Sequence, residues 1–315
     1  MSRRLLLALA GGVGGAKLAF GLARVLPPDA LTIVVNTGDD EVFWGLHVSP
    51  DLDTVMYTLA GDVNPGTGWG LRDDTFYVLE ALARLGIDTW FRLGDRDLAT
   101  HIRRTELLRA GHALTQVTQD LCRRFGVSHA IVPMSDNPVR TVVDTDLGVL
   151  SFQEYFVRHR CVPRVRALRF DGAETAKPSP AFVEAIQRAA AVVLCPSNPF
   201  LSLAPILALP GVKEGLTAVT GPKIAISPII AGKAVKGPAA KLLEELTAEP
   251  ATCVSVARMY RGLCTHFVID REDEAHRSEV EAFGYTVVVT RTLMETEEDK
   301  VALARTVCVL AGVLA

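Results

Sequence analysis

Leu5-Leu6-Leu7-Ala8-Leu9-Ala10, then Gly11-Gly12-Val13-Gly14-Gly15, then Ala16-Lys17-Leu18-Ala19-Phe20-Gly21-Leu22-Ala23: the reading of this stretch decides the fold. The first six residues are a continuous apolar run of strand length, the glycines a tight turn, and the last group a helix. A second apolar run, Leu31 to Val35, ends in Asn36-Thr37-Gly38-Asp39-Asp40, and Pro50-Asp51-Leu52-Asp53-Thr54 follows shortly after. Strand, glycine loop, helix, strand and acidic cluster make one βαβ unit. Open parallel sheets bind ligands at the carboxyl ends of their strands, where this loop and these acids fall.

A glycine loop feeding a helix lets the backbone approach an anion while the helix start offers free N–H groups and partial positive charge, so phosphate or pyrophosphate is the natural guest. A tight turn without a ligand remains the alternative. The dinucleotide fingerprint fits Gly12 and Gly14, but its third glycine falls on Lys17, and no Gly-Lys-Ser/Thr follows to make a Walker loop. The missing third glycine, with Thr37-Gly38-Asp39 in place of a lone ribose-binding acid after the second strand, weighs against a nucleotide-dependent oxidoreductase.

Further along, segments near residues 75–85, 97–110 and 115–125 have helical spacing of apolar positions. Residues 50–125 are therefore expected to form a helical insertion over a core made of 1–49 and 126–315. From residue 129 onward strands alternate with helices, up to a final helix at 297–310. The fold class is α/β, a doubly wound, mainly parallel Rossmann-like sheet with a smaller helical insertion domain. A strand pair is expected around Asp146-Leu147-Gly148, with a further strand from Val165 to Phe170.

With 315 residues, 49% hydrophobic and 22% charged, the chain has an ordinary globular balance. Its net charge of −3 offers no surplus of Lys and Arg to neutralise nucleic-acid phosphates. Six cysteines without a C-x-x-C pair fit reduced thiols in a cytoplasmic protein better than a disulfide framework or zinc site. Ser2-Arg3-Arg4 before the first apolar run resembles a secretory start, but that run is too short, so it reads as a strand. The final apolar run is too short to span a bilayer of roughly twenty apolar residues, so no membrane partner is expected.

Four groups of residues carry chemistry. Asp39, Asp40, Asp51 and Asp53 suit magnesium, which takes one or two carboxylates plus substrate phosphates, although each also suits a turn or cap. Arg92, Asp95, Arg96 and Asp97 crowd a helix start, where arginine forks bind phosphate or planar rings and aspartate caps. Ser197-Asn198-Pro199 and Ser227-Pro228 follow strands, either as ligand contacts or as plain turns. Lys233 and Lys236 add charge to the same edge. No Ser-His-Asp or Cys-His pattern supports a covalent mechanism.

Taken in order, Gly11–Lys17, Asn36–Asp40, Pro50–Thr54, Leu93–Asp97, Pro133-Met134-Ser135-Asp136, Pro196–Pro199 and Ser227–Ile230 resemble the 2-phospho-L-lactate transferase family of coenzyme F420 biosynthesis over essentially the whole chain. The resemblance implies magnesium-dependent transfer of a phospho-carboxylic-acid unit (2-phospho-L-lactate, phosphoenolpyruvate or 3-phosphoglycerate). The donor is linked to guanosine diphosphate, the acceptor is the ribityl hydroxyl of the deazaflavin Fo, and GMP leaves. Asp53 and Arg92 are then expected at the deazaflavin, with Asp95 and Arg96 beside them. Gly12, Gly14, Gly15 and Lys17 are expected at the diphosphate, and Ser197, Asn198 and Ser227 at the guanosine. Asp39 and Asp53 are the expected metal and catalytic carboxylates, and a homodimer is the expected assembly. The rival reading is a regulatory protein of the same superfamily that binds nucleotide-sugars. Fo binding separates the two.

Overall fold

A computed structural model describes residues 4–314, so Ser2 and Arg3 of the basic start lie outside the described residues. The apolar runs become seven strands: β1 Leu5–Ala10, β2 Leu31–Val35, β3 Ala130–Pro133, β4 Ala189–Leu194, β5 Lys223–Ile226, β6 His266–Asp270 and β7 Thr286–Thr290. They form one sheet in the order β7-β6-β5-β4-β1-β2-β3, and every neighbouring pair is parallel. The order reverses between β1 and β4, which opens a crevice at their carboxyl ends.

Strand β1 shows why its sequence is an unbroken apolar run. Alternate residues point to opposite faces, and both faces are covered. Leu5, Leu7 and Leu9 pack with Phe182, Val212, Leu216 and Leu243 on one side. Leu6, Ala8 and Ala10 pack with Leu18, Leu22, Val55, Leu121 and Leu303 on the other. That second layer is built from α1 (Gly12–Val25), α2 (Pro50–Ala60), the helix Leu114–Arg124 and the C-terminal helix Glu297–Leu310. Where α1 crosses the C-terminal helix, a Cβ on Gly21 would run into the Lys300 carbonyl, so only glycine allows that approach.

Helix α2, at the start of the expected helical insertion, is an element for which the sequence suggests no separate helix. Pro50 stands at its first position and Gly61 closes it at φ +80°. Within 50–125, α2 and Leu114–Arg124 pack on the sheet. The helix Asp95–Arg109, labelled α4 with Tyr77–Arg84 as α3, starts beside a separate apolar cluster of Val48, Phe91, Leu93 and Leu98.

The pair expected around Asp146-Leu147-Gly148 forms, as Arg140–Thr145 with Gly148–Ser151. It joins Val165–Asp171 in its own three-stranded antiparallel sheet rather than extending the central one. All six cysteines are unpaired. Among the described residues no helix is long and apolar enough to cross a membrane.

Candidate active site

The glycine loop sits at the switch point, and its glycines answer to close packing. A Cβ on Gly14 would strike the Pro196 carbonyl, one on Gly15 would meet Ser197 Oγ, and Gly12 opens α1 at φ +60°. The loop therefore lies flat against the turn after β4. The Gly11 N–H donates to Ser197 Oγ at 3.1 Å, and the Gly12 N–H donates to Asp51 Oδ1 at 2.8 Å. The glycines and the aspartates thus meet directly.

Asp51 lies in the first turn of α2, where a carboxylate also complements the helix start. Its Oδ2 accepts from Asn36 Nδ2 at 3.0 Å, and Asn36 Oδ1 accepts the Gly38 N–H at 2.8 Å, shaping the turn that carries Asp39. Burial pushes the Asp51 carboxyl up to about 6, against the pull of its hydrogen bonds from Asn36 and Gly12. Burial, followed by the charge of Asp51, raises Asp39 well above the carboxylate range. Asp40 Oδ2 accepts from Ser49 Oγ at 2.8 Å and lies 2.9 Å from His47 Nε2, while its buried Oδ1 has no hydrogen-bond partner. Three buried acids thus share this corner. The His47 ring stands against Asp40.

Asp53, two residues further along α2, is held quite differently. Arg104, from the middle of α4, forks onto both its oxygens, with Nη1 donating to Oδ2 at 3.0 Å and Nη2 to Oδ1. His101 lies between Asp53 (Nδ1 to Oδ2, 3.7 Å) and Asp97 (Nε2 to Oδ1, 3.3 Å), and the Tyr57 hydroxyl donates to Asp97 Oδ1 at 2.8 Å. Burial alone would lower the Arg104 pKa, yet the adjoining Asp53 carboxylate raises it. Burial also raises Asp53, partly offset by Arg104 and His101. Ligand atoms of Asp53, Asp97 and His101 lie within 4.8 Å of one another, a spacing that suits a metal. Arg104 already balances that charge, so a cation there would face a guanidinium.

These groups open onto one cavity of about 690 Å³. Gly12, Gly14, Lys17, Asp39, Asp53, Arg92, Ser197, Asn198 and Ser227, all singled out by the sequence, line it. Gly15 lies beneath the loop, outside the lining. Asp95 and Arg96, expected at the ligand, are not in the lining either. The Asp95 carboxylate accepts from the N–H groups of Tyr77 and Val78 and so caps α3, while the Asp74 carboxylate caps α4 through the N–H groups of Arg96 and Asp97. The Arg96 guanidinium donates to the Arg72 carbonyl. This reciprocal capping accounts for the charge crowded around Gly94, where a Cβ would run into Asp74.

Lys17 donates to the Met294 carbonyl at 2.7 Å, and burial with the charges of Lys300 and Lys236 lowers its pKa. Lys236 donates to the Thr67 carbonyl across the cavity rim. Arg92 lies 4.3 Å from the centre of the Phe76 ring. Ser197, Asn198 and Ser227 spend their side chains on the glycine loop and on their own turns. The sequence reading did not find the aromatic wall of Trp69, Trp90, Phe91, Phe152 and Phe156. Nor did it find Arg104, although Asp97, His101 and Arg104 stand one and two turns apart on one helix face, a legible spacing.

The profile of the family described as 2-phospho-L-lactate transferase CofD matches residues 6–307. The phosphoenolpyruvate transferase of Streptomyces griseus subsp. griseus is 43% identical over 309 residues, covering 96% of this chain and 97% of its own. The 2-phospho-L-lactate transferase of Methanosarcina mazei is 39% identical over 297 residues, covering 94% and 97%. A solved UPF0052-family protein of Bacillus halodurans superposes with a TM-score of 0.64 over 98% of this chain and 99% of that chain. Its sequence is 14% identical, so that likeness is one of fold.

Proposed function

Because this chain belongs to the 2-phospho-L-lactate transferase CofD family and is a transferase of coenzyme F420 biosynthesis, we propose that it joins a phospho-carboxylic acid to the deazaflavin Fo with the help of magnesium. The ribityl oxygen of Fo attacks the phosphorus bearing the acid, the bond to the guanosine-linked phosphate breaks, and GMP departs with the electron pair. The hydroxyl proton passes to a carboxylate of the site or to solvent. Such a reaction needs in-line positioning and charge neutralisation more than covalent help.

The observation that carries this reading is the uncompensated pair Asp39 and Asp51 beside the glycine loop, in the same cavity as Arg92 and the aromatic wall. Two buried carboxylates, both pushed up by burial and then by a neighbouring acid (Asp51 acting on Asp39, Asp40 on Asp51), next to an unpartnered Asp40 oxygen, form a hard oxygen set that fits magnesium. Asp39 and Asp51 would hold the ion, which would supply charge neutralisation at the diphosphate. Asp53, with both oxygens on Arg104, suits instead the acceptor of a hydrogen bond from Fo. Arg92 and the aromatic wall offer a stacking surface for a planar ring. Lys17 and Lys236 bring positive charge to the diphosphate end, and Ser197, Asn198 and Ser227 border the guanosine end.

A cytoplasmic location agrees with the six unpaired thiols. Exposed Tyr77 and Val78 on α3, with Leu85 just past its end, favour a homodimer, which light scattering on the eluting protein would test. Mass spectrometry of the product made from Fo, GTP, magnesium and each candidate acid, with a donor-making enzyme present, tests the transfer. One acid appended to Fo with loss of GMP is expected. Unchanged Fo with all three acids would overturn the reading and favour the nucleotide-sugar-binding alternative.

A further inference from the structure

Among the described residues, the largest fully buried side chain is an arginine, Arg104. Arginine is almost never fully buried unless paired, because its desolvation is costly, and replacing such a pair by apolar residues is often neutral or stabilising. A buried Arg104–Asp53 fork is therefore a weak device for holding α4 on α2. Its location suggests another use. Asp53, Tyr57, Asp97 and His101 all line the cavity, whereas Arg104 stands behind them and does not. Whatever Arg104 does at the site, it does through Asp53.

The fork has a geometric consequence. An ionised carboxylate has about four lone-pair sites, and a two-point guanidinium takes one on each oxygen and fixes the carboxylate plane. The oxygens keep their remaining acceptor capacity on the side that borders the cavity. Arg104 is itself steadied, since its Nη1 also meets His101 Nδ1 at 3.1 Å, and the other His101 nitrogen lies 3.3 Å from Asp97. Asp97 is fixed in turn by the Tyr57 hydroxyl and by its own N–H on Asp74. The chain of contacts runs from the capped start of α4 to the one carboxylate of this group that begins α2.

We propose that Arg104 is a positioning residue for the acceptor substrate: its fork holds the Asp53 carboxylate in one plane, so that Asp53 receives an N–H or O–H donor of the deazaflavin, with His101 and Asp97 steadying the fork. This rests on the reading that Asp53 contacts Fo. Lysine at position 104 keeps the buried charge but bonds at one point, so it separates the fork from the charge.

The test is equilibrium dialysis of Fo and, separately, of GDP against the wild type, Arg104→Lys, Asp53→Asn and the double variant. Arg104→Lys is expected to weaken Fo binding roughly tenfold while GDP affinity stays within about twofold, as loss of one charge-assisted arm predicts. The double variant is expected to bind Fo no more weakly than Asp53→Asn alone. Fo affinity within about twofold of wild type in Arg104→Lys, parallel losses for Fo and GDP, or losses that multiply in the double variant would each overturn the proposal. Wild-type Fo affinity in Asp53→Asn would instead remove the contact reading itself, and the proposal with it. If Arg104→Lys does not fold, His101→Gln takes its place. A smaller loss confined to Fo is expected there, and equal loss of Fo and GDP affinity would contradict the proposal.

Discussion

Two groups of buried carboxylates meet at the same cavity, two residues of sequence apart at Asp51 and Asp53, and they are built on opposite principles. At the glycine loop, Asp39, Asp40 and Asp51 crowd together with amide and hydroxyl donors and one imidazole, and burial drives Asp39 and Asp51 upward. Along α4, Asp53 and Asp97 are interleaved with Arg104 and His101, and Asp53 has a guanidinium on both its oxygens. The difference lies in what each group lacks. The first lacks positive charge and is arranged to receive it with a ligand. The second has its own cation in Arg104 and serves to hold a carboxylate still.

That comparison breaks first at Arg104. Arg104→Ala leaves Asp53 buried without its partner, and a destabilisation of about 3–5 kcal/mol is expected in urea unfolding followed by circular dichroism. A loss below about 1 kcal/mol would mean that Asp53 does not have its cation in Arg104. Asp51→Asn should do the reverse. Relief of repulsion with Asp39 is expected to leave stability within about 1 kcal/mol, while steady-state turnover falls by roughly a hundredfold or more as the cation loses a charged oxygen.

The pH dependence sharpens the contrast. The folded pKa of Asp51, about 6, lies above its ordinary value, so this group's contribution to stability is fully present below about pH 4 and is lost as pH rises through about 6. The size is roughly 2–3 kcal/mol. Magnesium should therefore raise the thermal midpoint near pH 7.5 and barely move it near pH 5, where protons compete. A magnesium effect equal at both, followed by differential scanning fluorimetry, would contradict the charge imbalance. The smallest expected effect is that of Arg92→Ala, which should weaken Fo about three- to tenfold through loss of a surface stacking cation and leave GDP binding unchanged.

Much of this was legible in the sequence. The apolar runs and the glycine loop carried the parallel sheet and its switch point, and the C-terminal helix lies where its spacing placed it, at Glu297–Leu310. Helix α2 escaped because Pro50–Thr54 is short of apolar residues. Its signals were Pro50 at the first position and acids in the first turn, which favour helix starts without adding hydrophobicity. The glycines told of missing space. Nothing local said that much of it is filled by Pro196 and Ser197. Asp95 looked like a ligand because the residue it serves, across the α3 start, is eighteen positions away. Arg104 and His101 were not singled out as site residues, since only the tertiary approach of α2 to α4 buries them together.

Anomalous diffraction from crystals grown with manganese and GDP tests the central claim most directly. A single strong peak beside Asp39 and Asp51, in contact with the diphosphate, is the predicted result. A peak among Asp53, Asp97 and His101, with Arg104 displaced from the fork, would contradict it.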